Sequence, residues 1–139
     1  MKKIQIEIIK GRKRDTATIE INRNAKTLCV VMKDGSISTR TAEDLYVCFG
    51  KIRGDFPDVI FLCKGAKINV HPSRMTSQMA SGLVAYEIRM GCTAEEGDTV
   101  RIFDYEEHDL TNNIEDQKKF YNSWLMSLQA NNAPSLKNQ

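Results

Sequence analysis

Hydroxyls, basic side chains and a helix-starting proline crowd into one stretch, NVHPSRMTSQMASG, residues 69–82. Pro72 and Ser73 suit a helix start. Free backbone N–H groups and the helix dipole favour an anion at such a place. Ser73, Thr76 and Ser77 could add hydrogen bonds, and Lys64, Lys67, His71 and Arg74 are close in sequence. The anion-binding candidates are therefore Ser73, Arg74 and Lys67. The competing reading is structural. Ser73 would cap its own helix, and Ser77, Ala80, Ser81, Gly82 and Ala85 would be small because another element packs closely. Neither G-x-x-x-x-G-K-[ST] nor G-x-G-x-x-G occurs, so nucleotide binding gains no support and packing is favoured.

Other chemistries find less. Nucleophilic catalysis needs a thiol or hydroxyl with a base in reach. The two histidines are His71 and His108, and Cys63 with His71 is the conceivable pair. Cys63 ends an apolar run, which marks it as core. Two isolated histidines and scattered cysteines lack metal-ligand spacing. DYEEHD, residues 104–109, has carboxylates but not the order of ligands and glycine of an EF-hand. No carboxylate pair is singled out for glycosidase-type work. The expectation is a protein with no catalytic residue, no metal and no cofactor.

Charge is distributed unevenly. The formal net charge is only +2, too small by itself to argue for nucleic acid or a membrane surface. Residues 1–23 hold seven Lys/Arg, whereas residues 87–116 hold ten acids against Arg89 and Arg101. The loop GRKRD supplies a basic tip, Lys10 to Arg14, but no interleaved aromatic, so nucleic-acid binding is the lesser reading. The acidic segment brings Glu95, Glu96, Asp104, Glu106, Glu107 and Asp109 around Tyr105. Complementary potential speeds encounter with a basic partner, and an aromatic can anchor the contact. These seven residues are the candidate partner-binding site.

The elements that must position these groups follow from periodicity. With 41% apolar and 27% charged residues, the chain is of globular composition, and its 139 residues suffice for a real core. KIQIEIIK and TATIEIN alternate as strands, with Ile4, Ile6, Ile8, Ala17, Ile19 and Ile21 inward. TLCVVMKDGSIS runs into Asp34-Gly35, a dipeptide suited to a type I′ turn. TAEDLYVCFGKIRGDFP reads as a helix, with Thr41 and Asp44 near capping-box spacing and Leu45, Cys48, Phe49 and Ile52 on one face. VIFLC reads as a strand buried on both faces, with Lys64-Gly65 turning it into a hairpin with AKINV.

Met75, Met79, Leu83, Tyr86 and Met90 fall on one helical stripe that Gly91 would end. DTVRIFDY is a strand. Asn113 is placed to cap a last helix whose inner face is Phe120, Tyr121, Trp124, Leu125 and Leu128. The expected class is α+β: a largely antiparallel or mixed sheet of about six strands with three helices on it, in the order βββαββαβα. One domain should span residues 1–130, with 131–139 a polar, flexible tail. The four cysteines, Cys29, Cys48, Cys63 and Cys92, sit in or beside apolar runs without C-x-x-C spacing and read as reduced, buried thiols. The start of the chain lacks a signal-peptide pattern, and no apolar run approaches the ~20 residues of a bilayer span. A cytoplasmic protein is expected.

Three segments, KGAKINVHPSRMTSQMASGLVAYEIRMG, FDYEEHDL and QKKFYNSWLMSL, resemble in style the small immunity proteins of bacterial toxin–immunity systems of the contact-dependent inhibition type. The resemblance implies a cytoplasmic protein that binds and blocks one cognate toxin, often a nuclease with a basic substrate groove. It carries over no site residues, because immunity proteins differ in fold. Many are clearly acidic, whereas this chain is slightly basic. That departure favours a local acidic patch, or binding away from the toxin's active site, over mimicry of nucleic acid. Function is therefore expected to be non-catalytic inhibition of a protein toxin through residues 95–109. The alternatives are a small ligand- or anion-binding protein or an enzyme using the helix start at Ser73, or a nucleic-acid-binding protein using the Lys10–Arg14 loop.

Overall fold

The computed structural model describes residues 1–131 of the chain. Strands β1 (Lys2–Lys10), β2 (Lys13–Asn22), β3 (Thr27–Met32) and β4 (Ile37–Thr41) form an antiparallel meander. Ile6, Ile8, Ala17, Ile19, Ile21, Leu28, Val30 and Met32 are all buried, because alternation puts every second side chain on the core face. Gly11 and Arg12 both have positive φ and make a two-residue turn. The basic run is thus shorter as a loop than the sequence suggests, since Lys13 and Arg14 already belong to β2. At the β3–β4 turn only Gly35 is left-handed, so the I′ geometry expected of Asp34-Gly35 is not formed.

Helix α1 (Leu45–Asp55) covers the inner face with Leu45, Cys48, Phe49 and Ile52, all fully buried. Its cap is Asp44, whose carboxylate accepts the Val47 N–H at 2.8 Å, and Thr41 instead ends β4. The next strand, β5 (Val59–Phe61), pairs antiparallel with β1 at the sheet edge, giving the order β4-β3-β2-β1-β5. It is not buried on both faces: Ile60 is 46% exposed while Val59 and Phe61 are fully buried.

The segment after β5 departs from expectation. Lys64–Ala66 forms a 3-10 turn, and β6 (Val70–His71) pairs with β7 (Val84–Glu87) rather than with β5. With β8 (Thr99–Arg101) these make a second sheet in the order β6-β7-β8. The long helix expected to carry Met75 through Met90 is only α2 (Arg74–Met79). Ser81 and Gly82 both take positive φ, which ends the helix, and Gly82 lies against the Asp44 side chain, where a Cβ would meet Cγ at 2.7 Å. Met75 and Met79 are 70% and 76% exposed, and Ala85 is buried by strand packing. The helical spacing of the five apolar residues is coincidental, because a strand and a turn interrupt it. DTVRIFDY likewise contributes only three residues to β8.

The class is α+β, with eight strands in two sheets and three α-helices among the described residues, so the expected strand count of six was low. Helix α3 (Ile114–Asn131) is capped by Asn113, whose side-chain oxygen accepts the Glu115 N–H at 3.0 Å. Trp124 is buried and its Nε1–H donates to the Cys92 carbonyl at 2.8 Å. Leu125, placed on the inner face by the sequence, is 40% exposed. Asn131 ends α3 rather than starting a tail, and residues 132–139 lie outside the described residues. Leu83 and Phe103 pack against both buried clusters and tie the two sheets together. Among the described residues no helix is long and apolar enough to cross a membrane.

Candidate docking site

The chain after β8 runs back along residues 62–68. Gly65 N–H donates to the Ile102 carbonyl at 2.7 Å, Lys64 N–H to Asp104 at 2.8 Å, and Ile68 N–H to Asp109 at 2.9 Å. Glu106 N–H in turn donates to the Leu62 carbonyl at 3.2 Å. Isolated bridges pair Cys63 with Tyr105 and Lys67 with Leu110. Residues 104–110 are therefore not a free loop. Their backbone is held at several points, which satisfies polar groups that would otherwise be stranded beside the core.

Glu106 fixes the segment from below. It is only 7% exposed, and its Oε1 lies 2.9 Å from both Lys64 Nζ and Lys67 Nζ. Its Oε2 accepts the N–H groups of Glu107 at 2.9 Å and His108 at 3.0 Å. Glu87 completes the cluster at 3.1 Å from each lysine. Burial alone would raise the Glu106 carboxyl, but Lys67, Lys64 and the two amides outweigh it and hold it at about 2. A buried carboxylate needs such compensation to stay charged.

The neighbours of Glu106 point outward. Tyr105 is 45% exposed, and its hydroxyl donates to Glu107 Oε2 at 2.9 Å. Arg14 Nη1 donates to the same hydroxyl at 3.0 Å, and its guanidinium stands 5.9 Å from the Tyr105 ring centroid. Arg14 also lies 3.6 Å from Glu7 and 3.7 Å from Glu107. The basic hairpin and the acidic segment, far apart in sequence, meet at this tyrosine. Asp104, Glu107, His108 and Asp109 are exposed around it. What the arrangement offers is an amphipathic ring, held in place, with carboxylates beside it.

The other candidates are placed elsewhere. Glu95 and Glu96 are exposed at the opposite end of β8, and Glu95 caps the 3-10 turn Glu96–Asp98 through its backbone and Asp98. Lys67 is engaged by Glu87 and Glu106. Ser73 and Thr76 cap each other reciprocally, with Thr76 N–H donating to Ser73 Oγ at 3.0 Å and Ser73 N–H to Thr76 Oγ1 at 2.9 Å. Arg74 is exposed beside them. The three proposed anion donors are thus not brought together: the lysine sits in the glutamate cluster and the serine hydroxyl serves its own short helix.

Cys63 is fully buried, and burial pushes its thiol up to about 12, far from the thiolate a nucleophile needs. His71 stacks on Tyr121 at 4.0 Å and donates through Nδ1 to the Pro72 carbonyl at 2.7 Å. Cys29 is half-buried and Cys92 exposed, so only Cys48 and Cys63 fit the expectation of buried thiols. Among the described residues no group of three or more His, Cys, Asp or Glu is placed to hold a metal ion.

Sequence reading missed the buried polar framework behind the site. Arg53 has no exposure; its Nε donates to the Thr111 carbonyl at 3.0 Å and its Nη2 to Gln117 Oε1 at 2.7 Å. Its guanidinium lies over Phe49 at 4.7 Å, and burial lowers its pKa to about 10. Gln117 Nε2 donates in turn to the Gly65 and Lys67 carbonyls at 2.9 Å. This chain of bonds links α1 and α3 to the turn that carries both lysines. A sequence signal did exist: Arg53 follows Phe49 and Ile52 on the apolar stripe of α1. No protein-family model matches the chain, and no curated protein matches it.

Proposed function

We propose that this chain is a non-catalytic, protein-binding inhibitor of the immunity type, which docks a cognate toxin on the surface formed by Asp104, Tyr105, Glu107 and Asp109. One observation carries the reading. Glu106 anchors the segment from the interior, so that an exposed tyrosine and its flanking carboxylates are presented without much freedom left to lose. Pre-ordered side chains bind with a smaller entropic penalty, and a tyrosine is a common energetic centre of an interface. The partner it fits is basic, a nuclease with a positive substrate groove being the foremost candidate. Within this reading Glu106 supports the surface instead of touching the partner, and Glu95 and Glu96 lie outside its centre. The protein acts in the cytoplasm with its cysteines as thiols.

The alternatives have weaker support. An anion at Ser73 would have to displace a reciprocal cap. Nucleic acid at Lys10–Arg14 would have to compete with Asp34 for Lys10 and with Glu7 and Glu107 for Arg14. The test is co-purification with the product of the adjacent open reading frame, followed by neutralisation of its toxicity in cells. A complex that protects the cells is expected. Absence of both binding and protection would remove the reading.

A further inference from the structure

A groove of ≈ 650 Å³ opens where the start of β1 and the end of β2 approach the β7–β8 sheet. Ile4, Ile21, Leu83 and Phe103 give it apolar walls. Lys2, Arg23, Arg101 and a single acid, Asp104, stand around them, all four exposed. Arg23 is pinned, its Nε donating to Ser81 Oγ at 3.2 Å and its Nη2 to the Met79 carbonyl at 2.9 Å. The side chains of Lys2, Arg101 and Asp104 make no hydrogen bond or ion pair with the described residues. Three cations against one carboxylate leave an excess of positive charge over apolar walls. The size is that of a small-molecule site, and low-dielectric walls strengthen the attraction of an anion.

We infer that this groove binds an amphiphilic anion: a carboxylate or phosphate head held by Arg101, Arg23 and Lys2, with an apolar chain over Ile4, Ile21, Leu83 and Phe103. Guanidinium groups match the planar oxygen pairs of such heads. Asp104 opposes the anion, so it sets a sign that the experiment can read. The groove shares Asp104 with the docking surface, but the cations that hold the head and the apolar walls lie outside residues 104–109, so the inference does not depend on a toxin docking there.

The experiment titrates the whole protein, followed by amide NMR, with decanoate, decyl phosphate, decanol and decyltrimethylammonium, the ionic probes below their micelle concentrations and decanol below its solubility limit. Either anion should bind saturably and move the amides of Ile4, Ile21, Leu83 and Phe103. Decanol and the cation should bind about tenfold more weakly or worse. Tighter binding of decanoate than of decyl phosphate assigns a carboxylate head, and the reverse a phosphate head. Arg101→Ala should weaken the anion about fivefold, the effect of losing one charge-assisted contact at a partly solvated rim. Asp104→Asn should tighten it about twofold on the same scale. Equal binding of all four probes, saturation at other amides, or an Arg101→Ala variant with unchanged affinity would overturn the inference.

Discussion

Glu106 and Lys67 are joined across 39 residues of sequence by a 2.9 Å ion pair, and the residue just before Glu106 is the exposed Tyr105. Lys64 makes the same contact from 42 residues away. The pair orders a surface as well as stabilising a core, which separates two kinds of variant. Glu106→Ala leaves two lysines short of a partner and two amides unbonded. It should cost about 3 kcal/mol, the low end for breaking a buried pair. Urea denaturation gives that figure, and hydrogen exchange should show the amides of Glu107 and His108 losing protection. An unchanged exchange pattern would mean that the backbone bonds to residues 62–68 suffice without the carboxylate.

The same group sets a pH dependence. The Glu106 carboxyl falls from 4.5 to about 2 in the fold, because its lysines and amides overcome its burial. A depressed carboxyl stabilises the fold fully above its unfolded pKa, and the contribution fades as pH falls through the folded value. Stability should therefore drop between about pH 4.5 and pH 2 by on the order of 2 kcal/mol more in the wild type than in Glu106→Gln. Parallel acid-unfolding curves for the two proteins would contradict the assignment.

Arg53 and Gln117 share a bond of 2.7 Å with neither side chain exposed to water. Arg53→Met keeps much of the volume but strands the Thr111 carbonyl and Gln117 Oε1. A loss of about 2 kcal/mol is expected, one to two unsatisfied acceptors' worth. A double-mutant cycle with Gln117→Leu should give a coupling of about 1 kcal/mol, since both substitutions remove the same bond. Additive losses would show that the two residues act separately.

Two glycines should respond in opposite senses. Gly82 has φ +77 and faces the Asp44 carboxylate, where a Cβ would come within 2.7 Å of Cγ. Gly82→Ala should cost about 2 kcal/mol or more from backbone strain and the displaced cap of α1. Gly54 lies in the last turn of α1 with nothing within 4 Å of an added Cβ. Gly54→Ala should stabilise by about 0.5 kcal/mol through helix propensity and lost unfolded-state freedom. Thermal melts of the two variants test the contrast.

The parts of this fold that could be read in the sequence are those whose cause is local. Ile6 and Ile8, then Ala17, Ile19 and Ile21, repeat every second residue, and that repeat alone determines which face meets the core. Asn113 likewise caps the helix that starts at the next residue, through the Glu115 N–H two residues on. The stripe from Met75 to Met90 misled because spacing by threes and fours also arises by chance across a turn. Ser81-Gly82 was the break, a left-handed pair packed against the Asp44 side chain, which lies elsewhere in the chain. Of the acidic residues around Tyr105, nothing local distinguishes Glu106 from Glu107. Only Lys64 and Lys67, brought alongside by the 3-10 turn, bury one and leave the other exposed.

The proposed partner contact sets Tyr105 and its carboxylates against a basic toxin. The measurement that tests it most directly is a calorimetric titration of the adjacent gene's product with the wild type, Tyr105→Ala and Glu107→Lys/Asp109→Lys. The wild type should bind saturably. Loss of the ring should weaken binding at least about tenfold, as expected of an interface centre, and charge reversal should weaken it and reduce its salt dependence when the titration is repeated at higher salt. The variants should keep wild-type thermal stability to within about 1 kcal/mol, because their side chains are exposed. Failure of the wild type to bind, or undiminished affinity in all the variants, would contradict the account.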